Sequence, residues 1–432
     1  MQRLKLVLLA LAIACFSFGL AACGDDDEAD SGGDGGGGGE TSLDLVVGDL
    51  VPLTGDLDAF GPGGQKAADV AVEQINAAIE EAGVDHTVEV LHEDDQTDAQ
   101  AATQAARKQL GEGANCFAGS WASSATIPVF ESVSSREEIL QISPSSTSDE
   151  ITEIDDDGLL NRTAPADRNQ AIALADSIEE GLGGAEGTVI NIGARNDAYG
   201  TGLGEQFASV WEERGGEIGE SVVYDPEQPS YNTEAEQIVA GDPDGYLFVD
   251  FPDPFGEVGA ALVRTGAWDP EISYVTDGLA FPNLPGLIGE DITEGLIATL
   301  PGSPNGETAA DAFDAAYTGA SGPDRSPYDA QNFDAVMLCY LSAVAAGSTE
   351  GPDMAEVLAD VSGPPGDKYT FEDLAGAIEA LQNGDDIDYE GASGPIDLDE
   401  NGDPSTGVYD IYQYKGPGFE EIDEVGFTDP GA

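Results

Sequence analysis

Residues 110–151 constrain the fold of this chain more than any other stretch. Two short apolar runs, 114–118 and 139–142, each lead straight into a hydroxyl-rich turn. The first turn reads Gly119-Ser120-Trp121-Ala122-Ser123-Ser124-Ala125-Thr126; the second reads Ser143-Pro144-Ser145-Ser146-Thr147. Between them, 126–133 is apolar and helix-compatible, and it ends before the loop 134–138. Strand, loop, helix, strand, loop is the unit of an open parallel sheet, whose ligand crevice lies beyond the carboxyl ends of its strands. Hydroxyls and free N–H groups there can hold a carboxylate without any formal positive charge. Ser-rich loops also serve as ordinary N-caps and turns. Two of them after successive strands, in a chain so poor in Lys and Arg, favour a small-ligand site.

The same alternation continues on both sides. Upstream, the pattern predicts a strand over 43–50, a turn at 60–64, and a helix over 65–82 with Ala68, Val72, Ile75 and Ala78 near helical spacing. A strand over 88–92, an acidic loop and an Ala-rich helix over 99–110 follow. Downstream of 162–166 the series resumes with helices over 169–180, 202–214 and 256–265. Strands are expected over 188–192, 218–223, 245–251 and 272–276, the last ending at Asp277-Gly278. The run 296–300 reads as a strand returning to the first lobe, ahead of a helix over 328–346 and shorter ones over 354–361 and 371–381. The tail from 391 is rich in turn residues, with a strand over 409–414. At 432 residues the chain is long for one core. The expectation is therefore an α/β protein of two lobes, each a mostly parallel sheet flanked by helices, with interlobe crossings. Lobe one would comprise 43–165 plus 300–384, and lobe two 166–299 plus 385–432.

The amino terminus reads as a targeting segment. Residues 1–5 form a short basic region and 6–20 are nearly continuously apolar. Leu20-Ala21-Ala22-Cys23 then switches abruptly to Gly-Asp-Asp-Asp. That is a secretory signal over 1–22, too short for a membrane span. A Cys at this cut resembles a lipoprotein lipobox, which implies lipidation of Cys23 and anchoring at the outer face of the cell membrane. Residues 23–42 are Gly- and Asp-rich and cannot form a core, so they read as a tether.

Charge excludes some functions. The chain carries 85 Asp and Glu against 14 Lys and Arg, a formal net charge of −71. Such a surface repels nucleic acid and anionic membrane faces. Self-repulsion on this scale asks for salt screening. The usual catalytic groups are also sparse. His86 and His92 have no metal-ligand spacing, and there is no phosphate-binding loop, dinucleotide fingerprint or Gly-x-Ser-x-Gly elbow. No cofactor and no enzymatic reaction are expected. Apart from Cys15 in the signal and Cys23, the cysteines are Cys116 and Cys339, both in apolar runs. Outside the cytoplasm they could pair, or each could be a small buried hydrophobe.

What remains suits recognition. A zwitterion needs donors for its carboxylate, an acceptor for its ammonium and a pocket for its side chain. The two Ser/Thr loops can supply the donors, and Asp277 is a credible partner for an ammonium. Phe60, Trp121, Tyr199 and Phe251 adjoin strand ends, where aromatic walls would close over a ligand.

The order of motifs resembles a known family. The markers are Gly48-Asp49-Leu50-Val51-Pro52-Leu53-Thr54-Gly55 with Gly61, then Ile75-Asn76 and Asp94-Asp95. Next come Gly119 through Thr126, Ile142-Ser143-Pro144 with Thr147, Tyr199-Gly200, Tyr328-Asp329-Ala330 and the Gly391–Pro395 tail. In this order, behind a lipobox, they resemble the type I periplasmic substrate-binding proteins of branched-chain amino acid ABC transporters, the Leu/Ile/Val-binding family, over about 43–420. The resemblance implies that Ser123 and Thr147, with backbone around Ser145, bind a ligand carboxylate. It implies that Asp277 meets the ammonium where the best-known members have Glu, and that Tyr199 approaches from the second lobe. Phe60 and Phe251 fall where relatives have tyrosines, and Trp121 takes a wall position held by a smaller residue in some relatives. The family's first-lobe disulfide is absent, because Gln96 and Ala122 occupy its places. A disulfide here would have to join Cys116 to Cys339 within the first lobe.

The expected function is capture of a small zwitterionic or polar solute, an amino acid or amide, and its delivery to a membrane permease. The same fold could instead serve a signalling partner as a sensor, or act as a non-catalytic surface lipoprotein.

Overall fold

The computed structural model describes residues 42–303 and 308–429. The leader, Cys23 and the tether through residue 41 lie outside the described residues.

Five strands build the first sheet: β1 (Leu43–Val51), β2 (His86–Asp94), β3 (Cys116–Ala118), β4 (Leu140–Ser143) and β5 (Leu160–Arg162). Their order is β2-β1-β3-β4-β5 and all pairings are parallel. Helices on both faces leave β3 and β4 fully buried, while the edge strand β2 keeps polar residues and is only partly covered. The second sheet takes β6 (Val189–Arg195), β7 (Glu217–Tyr224), β8 (Gly245–Val249), β9 (Ser273–Val275) and β10 (Ile297–Gly302), also parallel. Three short strands follow, β11 (Asp367–Tyr369), β12 (Ile387–Gly391) and β13 (Gly394–Pro395). The hairpin β14 (Thr406–Lys415) and β15 (Gly418–Thr428) then pairs antiparallel with β10, giving the order β15-β14-β10-β9-β8-β6-β7. The fold is thus α/β with two mostly parallel sheets.

The helix expected over 65–82 begins earlier, at Gly61. Pro62 sits in its first turn, where its missing N–H would have had no helical partner. Gly61 is needed because a Cβ there would lie 2.0 Å from the Pro52 carbonyl oxygen. The Asp329–Ala346 helix is buried nearly all round and is the central post of the first lobe. Cys339 on this helix is disulfide-bonded to Cys116 on β3, with Cα atoms 6.1 Å apart.

Both later lobe boundaries fall further along the chain than expected. β10 runs to Gly302 within the second sheet, so the return does not begin at 300. Residues 387–396 do not belong with the second sheet: β12 pairs with β11, and Ile387, Tyr389, Ala392 and Ile396 pack into the core built on the Asp329–Ala346 helix. Asp334 is the reason. Its buried carboxylate accepts from the Tyr389 hydroxyl, the Ala392 and Ser393 N–H groups and the Ser393 hydroxyl, which ties this turn to the first lobe. The chain passes to the second sheet only after Asp397.

A buried ion network marks that passage. Arg162, at the end of β5, donates from Nε to Asp403 at 2.6 Å and from Nη1 to the Ser146 and Ser148 carbonyls. Arg168, at the start of the Asp167–Leu182 helix, reaches the other Asp403 oxygen at 3.0 Å and Asp429 at the end of β15. Arg162 and Asp403 are both fully buried. Every nitrogen of the Arg162 fork donates to an acceptor, as a charge out of water requires.

Candidate functional site

The carboxyl ends of both sheets face one narrow cavity. Its wall is made of Leu57, Phe60, Trp121, Ala122, Ser123 and Ser145, then Tyr199, Phe251, Asp277, Gly278 and Tyr328. Seven of the eight residues expected at a ligand site are therefore brought together. The exception is Thr147, which does not line the cavity. Arg162 holds the carbonyls on either side of it, and the Thr147 carbonyl accepts the Asp167 N–H at 2.8 Å, so this residue turns toward the hinge.

The two faces differ in chemistry. On the first-lobe side, Ser123 opens the Ser123–Val129 helix directly after β3 and its turn. Its oxygen accepts the Ser148 N–H at 3.2 Å, which leaves its own proton uncommitted. Ser145 donates its proton to the Trp121 carbonyl at 2.8 Å. The Trp121 indole N–H is buried with no partner among the described residues.

On the second-lobe side, Asp277 follows β9 and is buried. One oxygen accepts the Tyr199 hydroxyl at 2.8 Å and the other accepts the Tyr328 hydroxyl at 2.6 Å. Burial raises the Asp277 carboxyl above its ordinary range, and the two hydroxyls work against that rise. Burial, reinforced by the Asp277 charge, pushes both phenols well above theirs, so they remain donors. Tyr199 also stacks on Phe251 at 5.2 Å, and the Arg195 guanidinium lies 3.8 Å over the Phe251 ring.

Side-chain contacts cross the cleft. Tyr328 of the first lobe reaches Asp277, Phe60 meets Phe281 at 5.3 Å, and Asp56 pairs with Arg195 at 3.1 Å. The lobes are closed on one another. Tyr328, Leu57 and Arg195 were not among the expected site residues. Tyr328 had a signal, standing immediately before the long helix in the Tyr-Asp-Ala motif. It takes a left-handed φ of 66°, unusual for a bulky residue. Arg195 had none, because its role depends on Asp56, Asp197 and Asp250 from three separate loops.

No nucleophile–base pair lines the cavity, and no group of three or more His, Cys, Asp or Glu among the described residues could hold a metal ion.

Comparison with known proteins agrees with this geometry. The family model described as periplasmic binding protein matches residues 44–416. The chain belongs to the type I periplasmic binding protein family. Among relatives of this binding protein is the chemotactic signal transduction system substrate-binding protein BasB of Halobacterium salinarum. The two are 28% identical over 406 residues, 90% of this chain and 92% of the relative. Leu/Ile/Val-binding protein homolog 3 of Brucella melitensis is 27% identical over 86% of this chain and 91% of its own length. The fold is shared with the branched-chain amino acid transporter substrate-binding protein LivJ of Streptococcus pneumoniae, solved in complex with isoleucine. The TM-score there is 0.71 at 18% identity, covering 89% of this chain and 99% of that one.

Proposed function

We propose that this periplasmic binding protein is an extracytoplasmic lipoprotein, anchored through Cys23, that captures an amino acid or related small zwitterion and delivers it to an ABC-type permease. The observation that carries this reading is the opposition of Asp277 to Ser123 across one closed cavity. A carboxylate on one side and an uncommitted hydroxyl proton on the other match the two ends of a zwitterion. A net-neutral solute also approaches without working against the field of a −71 chain.

Binding needs only hinge motion. Residues 163–166 and 397–405 connect the lobes beside the Arg162–Asp403 pair, and opening about them would expose the cavity. Closure excludes water and strengthens each polar contact inside.

The test is a thermal-shift screen of the purified protein in high salt against the amino acids, urea and small amides. A solute that binds only the folded state must raise the unfolding midpoint. No shift with any zwitterion would overturn the reading. Anchoring is tested separately: membrane association must be lost in Cys23→Ser.

A sensory role is favoured by one observation, the relative in Halobacterium salinarum whose name places it in a chemotactic signal transduction system. Deleting the gene and scoring uptake and chemotaxis toward the bound solute separates the two. Lost uptake marks a transporter component; lost chemotaxis with intact uptake marks a sensor.

A further inference from the structure

The cavity is more aromatic than a primary amine requires. Five rings surround one carboxylate, with no Lys, Arg or His in the wall. Trp121 and Tyr328 meet edge to face at 81°, forming a corner, with centroids 6.5 Å apart. The indole is seated there by Gly64 on the facing helix: a Cβ at Gly64 would lie 2.1 Å from the Trp121 ring. Phe60 and Tyr199 complete the enclosure, while Phe251 is already engaged by Arg195 and Tyr199.

A primary ammonium has three N–H donors, and each must find an acceptor once water is excluded. Side-chain acceptors here are scarce. Asp277 is the one charged acceptor in the wall, a tyrosine hydroxyl already takes one lone pair of each of its oxygens, and the Ser123 oxygen takes the Ser148 N–H. A methylated ammonium asks for something different. It needs a nearby negative charge and aromatic faces within about 6 Å, and no hydrogen-bond acceptor.

We propose that the solute of this cleft is a small betaine-type zwitterion, its N-methylated ammonium held among Trp121, Tyr328, Tyr199 and Phe60 beside Asp277 and its carboxylate on the Ser123 side. The proposal rests on the reading of the cleft as a zwitterion site and names the class of zwitterion. The Asp277 charge supplies the attraction, and the tyrosine hydroxyls that cap it occupy one lone pair on each of its oxygens.

Titration calorimetry of the purified protein in high salt tests it with glycine, sarcosine, dimethylglycine, glycine betaine and leucine. Affinity should rise with each methyl group, and glycine betaine should bind about tenfold or more tighter than glycine or leucine. Trp121→Phe should keep most of that preference, because it keeps a ring, whereas Trp121→Leu should lose it. Tyr328→Phe, which retains the ring but frees one Asp277 oxygen, should narrow the gap between leucine and glycine betaine. A primary amino acid binding tighter than glycine betaine would overturn the methylated-ammonium proposal and leave the amino-acid reading standing. No binding by any member of the series would overturn the proposal, and only silence from every amino acid in the thermal screen would overturn the reading beneath it.

Discussion

The two lobes meet in two places, and they are held together there by different chemistry. At the hinge the contacts are full ion pairs: Arg162 with Asp403, both fully buried, and Arg168, partly buried, with Asp403 and Asp429. In the cleft the central contact is a neutral phenol donating to a carboxylate, Tyr328 to Asp277, backed by the Phe60–Phe281 ring pair. The difference follows from what each region has to do. A hinge stays assembled as the lobes move, so its charges can be matched once. A cleft has to open, so an interlobe contact there must cost little to break, and polar groups must remain for a ligand. Asp56–Arg195 stands between the two: it crosses the cleft at its edge, where Asp56 is partly exposed.

That contrast can be broken at the hinge first. Arg162→Ala leaves the buried Asp403 without its main partner and should lower stability by about 3–5 kcal/mol in urea unfolding. A loss under about 1 kcal/mol would mean that Arg168 alone satisfies Asp403, and the two regions would no longer differ in kind.

In the cleft the largest effect should appear in binding, not folding. Asp277→Ala is expected to weaken solute affinity by about 2–5 kcal/mol by calorimetry, the range for removing one partner of a buried charge pair. Unchanged affinity would remove Asp277 from the site. Tyr328→Phe acts more gently, removing one hydrogen bond to a carboxylate worth about 1.5–3 kcal/mol from the closed form. Small-angle scattering of the ligand-free protein should then show a larger radius of gyration. Identical scattering would show that this bond does not favour closure.

The smallest effect is on pH dependence, and its sign differs between the regions. Burial alone would raise the Asp403 carboxyl, but Arg162 and Arg168, with the Thr152 hydroxyl, override it and hold the group below its ordinary range. Its stabilising contribution is present above the ordinary carboxylate range and lost as pH falls through its depressed value. Asp250, beside Arg195, and Asp329, beside Tyr328, are raised to about 7 by burial. The folded state holds their protons more tightly than the unfolded chain does. The stability they supply is therefore complete below the ordinary range and lost as pH rises through about 7. His92 adds to the same trend at higher pH. Burial opposes its protonation, but Asp49 and Asp69 overcome that and carry it to about 9, so its contribution is lost above that value. At constant high salt the unfolding midpoint should fall by a few degrees between about pH 5 and about pH 8. A rise over that interval would mean that depressed carboxylates like Asp403 dominate.

Much of this molecule was legible before any coordinates. Alternating apolar runs and capped helices, read locally, placed most strands of both sheets. Four aromatic residues, Ser123, Ser145 and Asp277 could be nominated because each follows a strand end, which is where an open parallel sheet builds its crevice. Thr147 satisfied the same rule, yet its turn is drawn toward Arg162 and Asp167. The 385 boundary failed for a related reason: no local feature announces that Asp334, some 55 residues earlier, captures the 389–393 turn.

By itself, then, the chain's order of residues determined its α/β class, the position of the crevice and the mismatch between its acidic surface and any polyanionic partner. These depend on periodicity and composition, which are properties of neighbouring residues and of sums over the chain. Tertiary structure alone decided that Tyr328 caps Asp277 from 51 residues away, that Arg162 finds Asp403 across 241, and that Cys116 meets Cys339 across 223. Each such pair is selected by burial. Once packing has removed water, a charge, a phenol or a thiol must take the partner the fold delivers, and no spacing along the chain records which one that will be.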